Sequence, residues 1–149
     1  MPDKDINTVI GFDFGTHWTG IAVGQTITAQ ARPLQAIKSK NTRPNWQAIE
    51  KILNDWLPEK LIVGLPTDFD GKPQEMTEPI KKFSRQLYGR FHIDVELVDE
   101  RLTTREAYQI AIDSGEFKSK PEIDSIAAVL ITESWLRDYA DKQRHLQEI

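Results

Sequence analysis

Apolar and polar positions along this chain change period as the sequence proceeds, and the changes mark out strands and helices. Residues 8–14, TVIGFDF, read as a strand, Gly15 to Thr19 as a tight turn, Gly20 to Gly24 as a second strand and residues 27–37 as a third. Together they predict an antiparallel meander. After the polar loop SKNTRPN, Trp46, Ile49, Leu53 and Trp56 recur at helical spacing, with Asn45 as the N-cap and Pro58 as the stop. The wholly apolar run LIVGLP then predicts a parallel strand covered on both faces.

The loop TDFDGKPQ carries an Asp-Gly turn signal and leads into a helix whose Met76, Ile80, Phe83 and Leu87 form one stripe, with Gly89 as its terminator. The strand VELVDE follows. Thr103-Thr104-Arg105-Glu106 is a capping box that opens a helix running to about Gly115, and Ser119-Lys120-Pro121-Glu122 is a second one. Asp124 opens the last helix, IDSIAAVLITESWL, on the side of Ala127, Ala128, Ile131 and Trp135; the tail DKQRHLQEI is expected to fray. Three leading strands followed by strand and helix alternation predict an α/β domain, a mixed sheet with helices on its faces.

Length and composition narrow the function. A chain of 149 residues fits one domain, read here as residues 1–149, with 39% hydrophobic and 28% charged residues. No apolar stretch approaches the roughly 20 residues of a membrane span, and the polar start MPDKDINT lacks a secretory pattern, so a cytoplasmic protein is expected. With no cysteine and three scattered histidines, the available metal ligands are oxygens, which suit Mg2+ or Mn2+. A net charge of −4 argues against a protein that coats nucleic acid. It leaves room for a local basic cleft built from Lys38, Lys40 and Arg43, from Lys81, Lys82 and Arg85, from Arg101 and Arg105, or from Lys118 and Lys120.

Three acids stand where a core would normally refuse them: Asp13 inside VIGFDFG, Glu100 at the end of VELVDE, and Asp124 at the head of an apolar helix. A lone buried carboxylate costs several kcal/mol unless paired or bound to metal, so three acids from separate elements point to a shared cation. Two metals bridged by an aspartate can activate water and stabilise a leaving oxygen, which makes phosphodiester hydrolysis the expected chemistry. Asp13 is the expected bridge; Glu100 lies at the carboxyl end of a strand, and alternation leaves open whether Asp99 or Glu100 points inward. Arg101 could hold a phosphate, and Thr103 and Thr104 could donate to a nucleic-acid backbone. Gly11, Gly15 and Gly20 would let backbone approach a ligand or turn sharply. Trp46, Trp56 and Trp135 sit at core-facing positions, whereas Trp18 and His17 remain as candidate substrate contacts.

The motifs GFDFGTHWTGIAVG, ARPLQAI, LIVGLPTDFDG, VDERLTT and DSIAAVLITESWL, in that order, closely resemble the YqgF or RuvX family of pre-16S ribosomal RNA nucleases, over about residues 8 to 139. The resemblance implies a ribonuclease H-like fold: a mixed five-stranded sheet with flanking helices. It also implies an acidic site of Asp13, Glu100 and Asp124 acting on nucleic acid with divalent metal. The implied role is trimming the 5′ end of the 16S ribosomal RNA precursor, with a ribosomal particle as partner; His17 stands where the family often has a basic residue. Likeness to RuvC-type resolvases offers Holliday junction cleavage as the alternative, and a noncatalytic RNA-binding assembly factor is a third reading. An actin-like or sugar-kinase ATPase, which shares the core topology, fails on length, because such enzymes bind nucleotide between two duplicated domains.

Overall fold

The computed structural model describes residues 5–66, 76–100, 113–115 and 125–147. Its described strands are β1 (Thr8–Phe14), β2 (Trp18–Gln25), β3 (Gln30–Lys38), β4 (Lys60–Pro66) and β5 (Asp94–Glu100). They form one sheet in the order β3-β2-β1-β4-β5, antiparallel across the first three strands and parallel from β1 to β4 to β5. The expected meander and parallel strands are therefore present. β4 lies at the interior of the sheet with Leu61, Ile62 and Val63 fully buried, as its unbroken apolar run requires.

Helices α1 (Trp46–Trp56) and α2 (Thr77–Phe91) cover one face, and α3 (Ile126–Gln147) the other. Under α1 and α2, Phe83 stacks on Phe14 at 4.4 Å and meets Phe12 edge-on at 5.5 Å. Aromatic pairs of this kind add about 1 kcal/mol beyond the area they bury. Under α3, Val9 and Ile62 pack with Ile131, Trp135 and Leu136. The side chain of Asn45 caps α1, accepting from Ala48 N–H at 3.2 Å as the sequence predicts.

Two boundaries differ from expectation. Gly89 does not end α2; the helix continues to Phe91 and stops at His92, whose φ of 55° is left-handed. The two further residues bring Phe91 against Trp46, at 6.1 Å between ring centroids, so packing overrides the glycine signal. The tail expected to fray is helical through Gln147, supported by an Asp141–Arg144 ion pair and by the Arg144 cation in the last turn, where positive charge interacts favourably with the helix dipole. Of the helix expected to end near Gly115, only residues 113–115 are described, and Gly115 has a φ of 74°, a conformation natural to a terminating glycine.

Candidate active site

Asp13 is the penultimate residue of β1, paired across the antiparallel ladder with Gly20. On the parallel side Phe12 pairs with Val63 and Val63 with Leu97, which sets Asp13 level with Gly64 and Val98. Laterally adjacent residues share a sheet face, so Asp13 stands on the face covered by α3 with a glycine on either side. Neither lateral neighbour carries a side chain. Asp13 is half-buried, and desolvation pushes its carboxyl up to about 6. Burial disfavours the charged form, and a cation would restore it.

In β5, position 100 belongs to the same face as Asp13, one strand repeat or about 7 Å beyond Val98. Asp99 pairs with Leu65 in the alternate row, toward α1 and α2, so the register removes Asp99 from the Asp13 face. The side chain of Glu100 lies outside the described residues, as do Arg101, Thr103, Thr104 and Asp124 entirely.

The start of α3 is fixed by contacts that the sequence reading missed. Between Thr19 and Ile21 the β2–β3 register slips, pairing Thr19 with Ile37 but Ile21 with Leu34. The fully buried Ser125 fills this gap in the ladder: its hydroxyl accepts from Ile21 N–H at 3.0 Å and donates to the Leu34 carbonyl at 2.7 Å. Ile21 follows Gly20, the cross-strand partner of Asp13, so Ser125 ties the head of α3 to the strand beside the acid. A serine just before an apolar helix reads as a helix-start residue in sequence; the register slip it repairs has no sequence signature. Gly64, likewise, was visible only as part of an apolar run.

Gly11 acts differently from the ligand approach expected of it. A Cβ there would lie 1.7 Å from Thr132 Oγ1 and 3.3 Å from the Ala128 carbonyl, so its bareness admits α3. Gly15 keeps its expected role, since a Cβ would fall 2.5 Å from the Trp18 carbonyl across the turn. Trp46 and Trp56 pack against the core and Trp135 is buried, as expected, while Trp18 and His17 are exposed beside the site.

Residues 7–138 match the family model RuvX, described as Holliday junction resolvase. A Haemophilus ducreyi protein named "Putative pre-16S rRNA nuclease" is 50% identical over 130 residues, covering 86% of this chain and 94% of its own. A Pseudomonas aeruginosa protein of the same name is 42% identical over 142 residues, covering 93% and 98%. Among solved structures, Thermus thermophilus RuvC in complex with a Holliday junction substrate superposes with a TM-score of 0.54 at 15% identity, covering 89% of this chain and 96% of that one. The fowlpox virus Holliday junction resolvase gives 0.56 at 14%, covering 89% and 99%. At such identities these structures establish the fold, which is ribonuclease H-like. By model and by sequence the chain belongs to the RuvX family of nucleases, hydrolases of phosphodiester bonds.

Proposed function

We propose that this protein is a metal-dependent nuclease that trims the 5′ end of the 16S ribosomal RNA precursor, in the cytoplasm and on a ribosomal particle. The observation that carries the metal-site reading is the setting of Asp13: a desolvated carboxylate between two glycine positions, on the face where α3 is pinned by Ser125. Asp124 immediately precedes that anchor in the chain, and position 100 shares the face of Asp13. The donor set is all oxygen, as a hard divalent cation such as Mg2+ or Mn2+ prefers.

In this reading Asp13, Glu100 and Asp124 hold the cation, with Asp13 bridging if there are two. Bound metal would supply an activated water and stabilise charge on the leaving oxygen. The chain's own part is positional. Asp13 brings a carboxylate whose burial makes it a strong partner for a cation, and Gly20 and Gly64 leave room for a phosphate to approach. Arg101 would bind a nonbridging phosphate oxygen, and Thr103 and Thr104 the neighbouring backbone. The names carried by the 42–50% identical relatives support precursor RNA as the substrate.

The deciding experiment is cleavage of end-labelled single-stranded RNA spanning the precursor 5′ end, with Mg2+ or Mn2+, by wild type, Asp13→Asn and Asp124→Asn. Loss of about 1000-fold or more in both variants is expected. Wild-type rates left intact by both substitutions would refute the acidic site. The RuvX model's description favours one second reading, and preferential cleavage of four-way DNA in the same assay would move the assignment there.

A further inference from the structure

Two basic stretches about 40 residues apart in sequence meet beside the acidic end of β1. Arg43 closes a tight loop after β3 through paired backbone hydrogen bonds with Lys40. Lys82 and Arg85 lie on one edge of α2, in a stripe that begins with Glu78 and ends with Gln86. Arg43, Glu78, Lys82, Arg85 and Gln86 line a groove of about 630 Å3 walled by Phe14, Trp46 and Phe83. Arg43, Lys82 and Arg85 are exposed, and among the described residues none of the three has a carboxylate within ion-pair distance.

The groove starts at Phe14, which follows Asp13 in β1 but faces α1 and α2, so it opens on the other face of the sheet from the carboxylate, at the same end; its border is held firmly. Ser39 N–H donates to the His17 carbonyl at 2.7 Å and Thr42 N–H to the Thr16 carbonyl at 3.2 Å, while the Thr16 hydroxyl meets Met76 Sδ at 3.7 Å. Three unneutralised cations on a net-acidic chain mark a local site for an anion. Trp46 is already engaged by Phe83 and by the Arg90 guanidinium 4.4 Å from its ring, so positive charge rather than base stacking is what this groove offers.

We propose that this groove holds the phosphate backbone of single-stranded RNA flanking the cleavage site, at the end of the sheet that carries Asp13, with Arg43, Lys82 and Arg85 each meeting a phosphate. The assignment deepens the nuclease reading and rests on it. A concave cationic groove of this kind tracks the backbone of an extended strand. Glu78, at the start of the stripe, would repel phosphate and so direct the strand toward Lys82 and Arg85.

The test is binding of a fluorescent single-stranded RNA of about 12 nucleotides, followed by anisotropy across a salt series. Both proteins carry Asp13→Asn to prevent cleavage, and one also carries Arg43→Gln, Lys82→Gln and Arg85→Gln. Losing three phosphate contacts should flatten the slope of log K against log salt by about 2 and weaken binding about tenfold or more. An unchanged slope in a variant with wild-type circular dichroism would overturn the proposal, as would weakened binding of four-way DNA with RNA binding intact.

A separate assay uses bis(p-nitrophenyl) phosphate with Mn2+, a substrate too short to reach the groove. The triple variant with Asp13 restored should keep its turnover, and a loss matching the loss of RNA binding would count against a distal role. If unsubstituted protein turns over neither this ester nor RNA, the nuclease reading fails, while the salt slope still decides the groove.

Discussion

Asp13 titrates from a ground state in which burial opposes its charge. Its carboxyl lies at about 6 in the folded protein against 3.8 for the unperturbed group, so the native state holds the proton more tightly than the unfolded chain does. The penalty is therefore absent below 3.8, grows as the pH rises through the window to about 6, and is complete above it. At 1.36 kcal/mol per unit, and reduced by the partial exposure of the residue, it amounts to about 2 kcal/mol. In chelator, Asp13→Asn should raise the melting temperature at pH 7.5 and leave it nearly unchanged at pH 4. Equal melting temperatures of the two proteins at both pH values would show that the carboxylate is not desolvated. The same substitution is expected to abolish cleavage, which would make the acid a cost to folding retained for chemistry.

At the scale of elements, the position of the site is decided by how α3 docks. Gly11 and Gly24 let the helix descend onto the sheet, with Thr132 against both and its hydroxyl turned back to the Ala128 carbonyl at 2.6 Å. Ser125 then fixes its head. Ser125→Ala would leave Ile21 N–H and the Leu34 carbonyl buried without a partner, at about 1–3 kcal/mol for each stranded group. Urea unfolding should register a loss of at least about 2 kcal/mol; a midpoint within error of wild type would mean that β2 and β3 re-pair directly. Gly11→Ala should be at least as damaging, because the added carbon overlaps Thr132 in a packed interface.

Much of this level was legible in the sequence. The change of period marked the strands and helices, and Asn45 marked the start of α1. What the alternation could not say is what covers a given face, so Gly11 was assigned to a ligand when its neighbour is a helix. Gly89 misled because helix propensity is weak beside the contact of Phe91 with Trp46.

At the scale of the molecule, the sheet brings distant stretches to one end. Asp13 was legible as a site candidate because an acid inside an apolar run contradicts its surroundings. The basic groove was legible only in parts, as separate candidate clusters around Arg43 and around Lys82 and Arg85; which clusters meet is decided by the fold, because sequence position carries no spatial pairing. Glu100 and Asp124 were proposed from the same contradiction as Asp13; strand register and the Ser125 anchor are the structural facts that bear on them.

The uneven burial of α3 has a consequence in the time domain. Its 22 residues span about 33 Å, yet its buried residues all lie between Ile126 and Leu136, and beyond Trp135 stacking on Tyr139 at 5.0 Å the described residues from Asp141 onward are exposed. Amide hydrogens before Tyr139 can exchange with solvent only when the helix leaves the sheet, whereas those beyond Ala140 need only local unwinding. Deuterium uptake along this one helix should therefore step from global-unfolding rates to fast exchange near Ala140. The slow half is the half that begins beside Asp13.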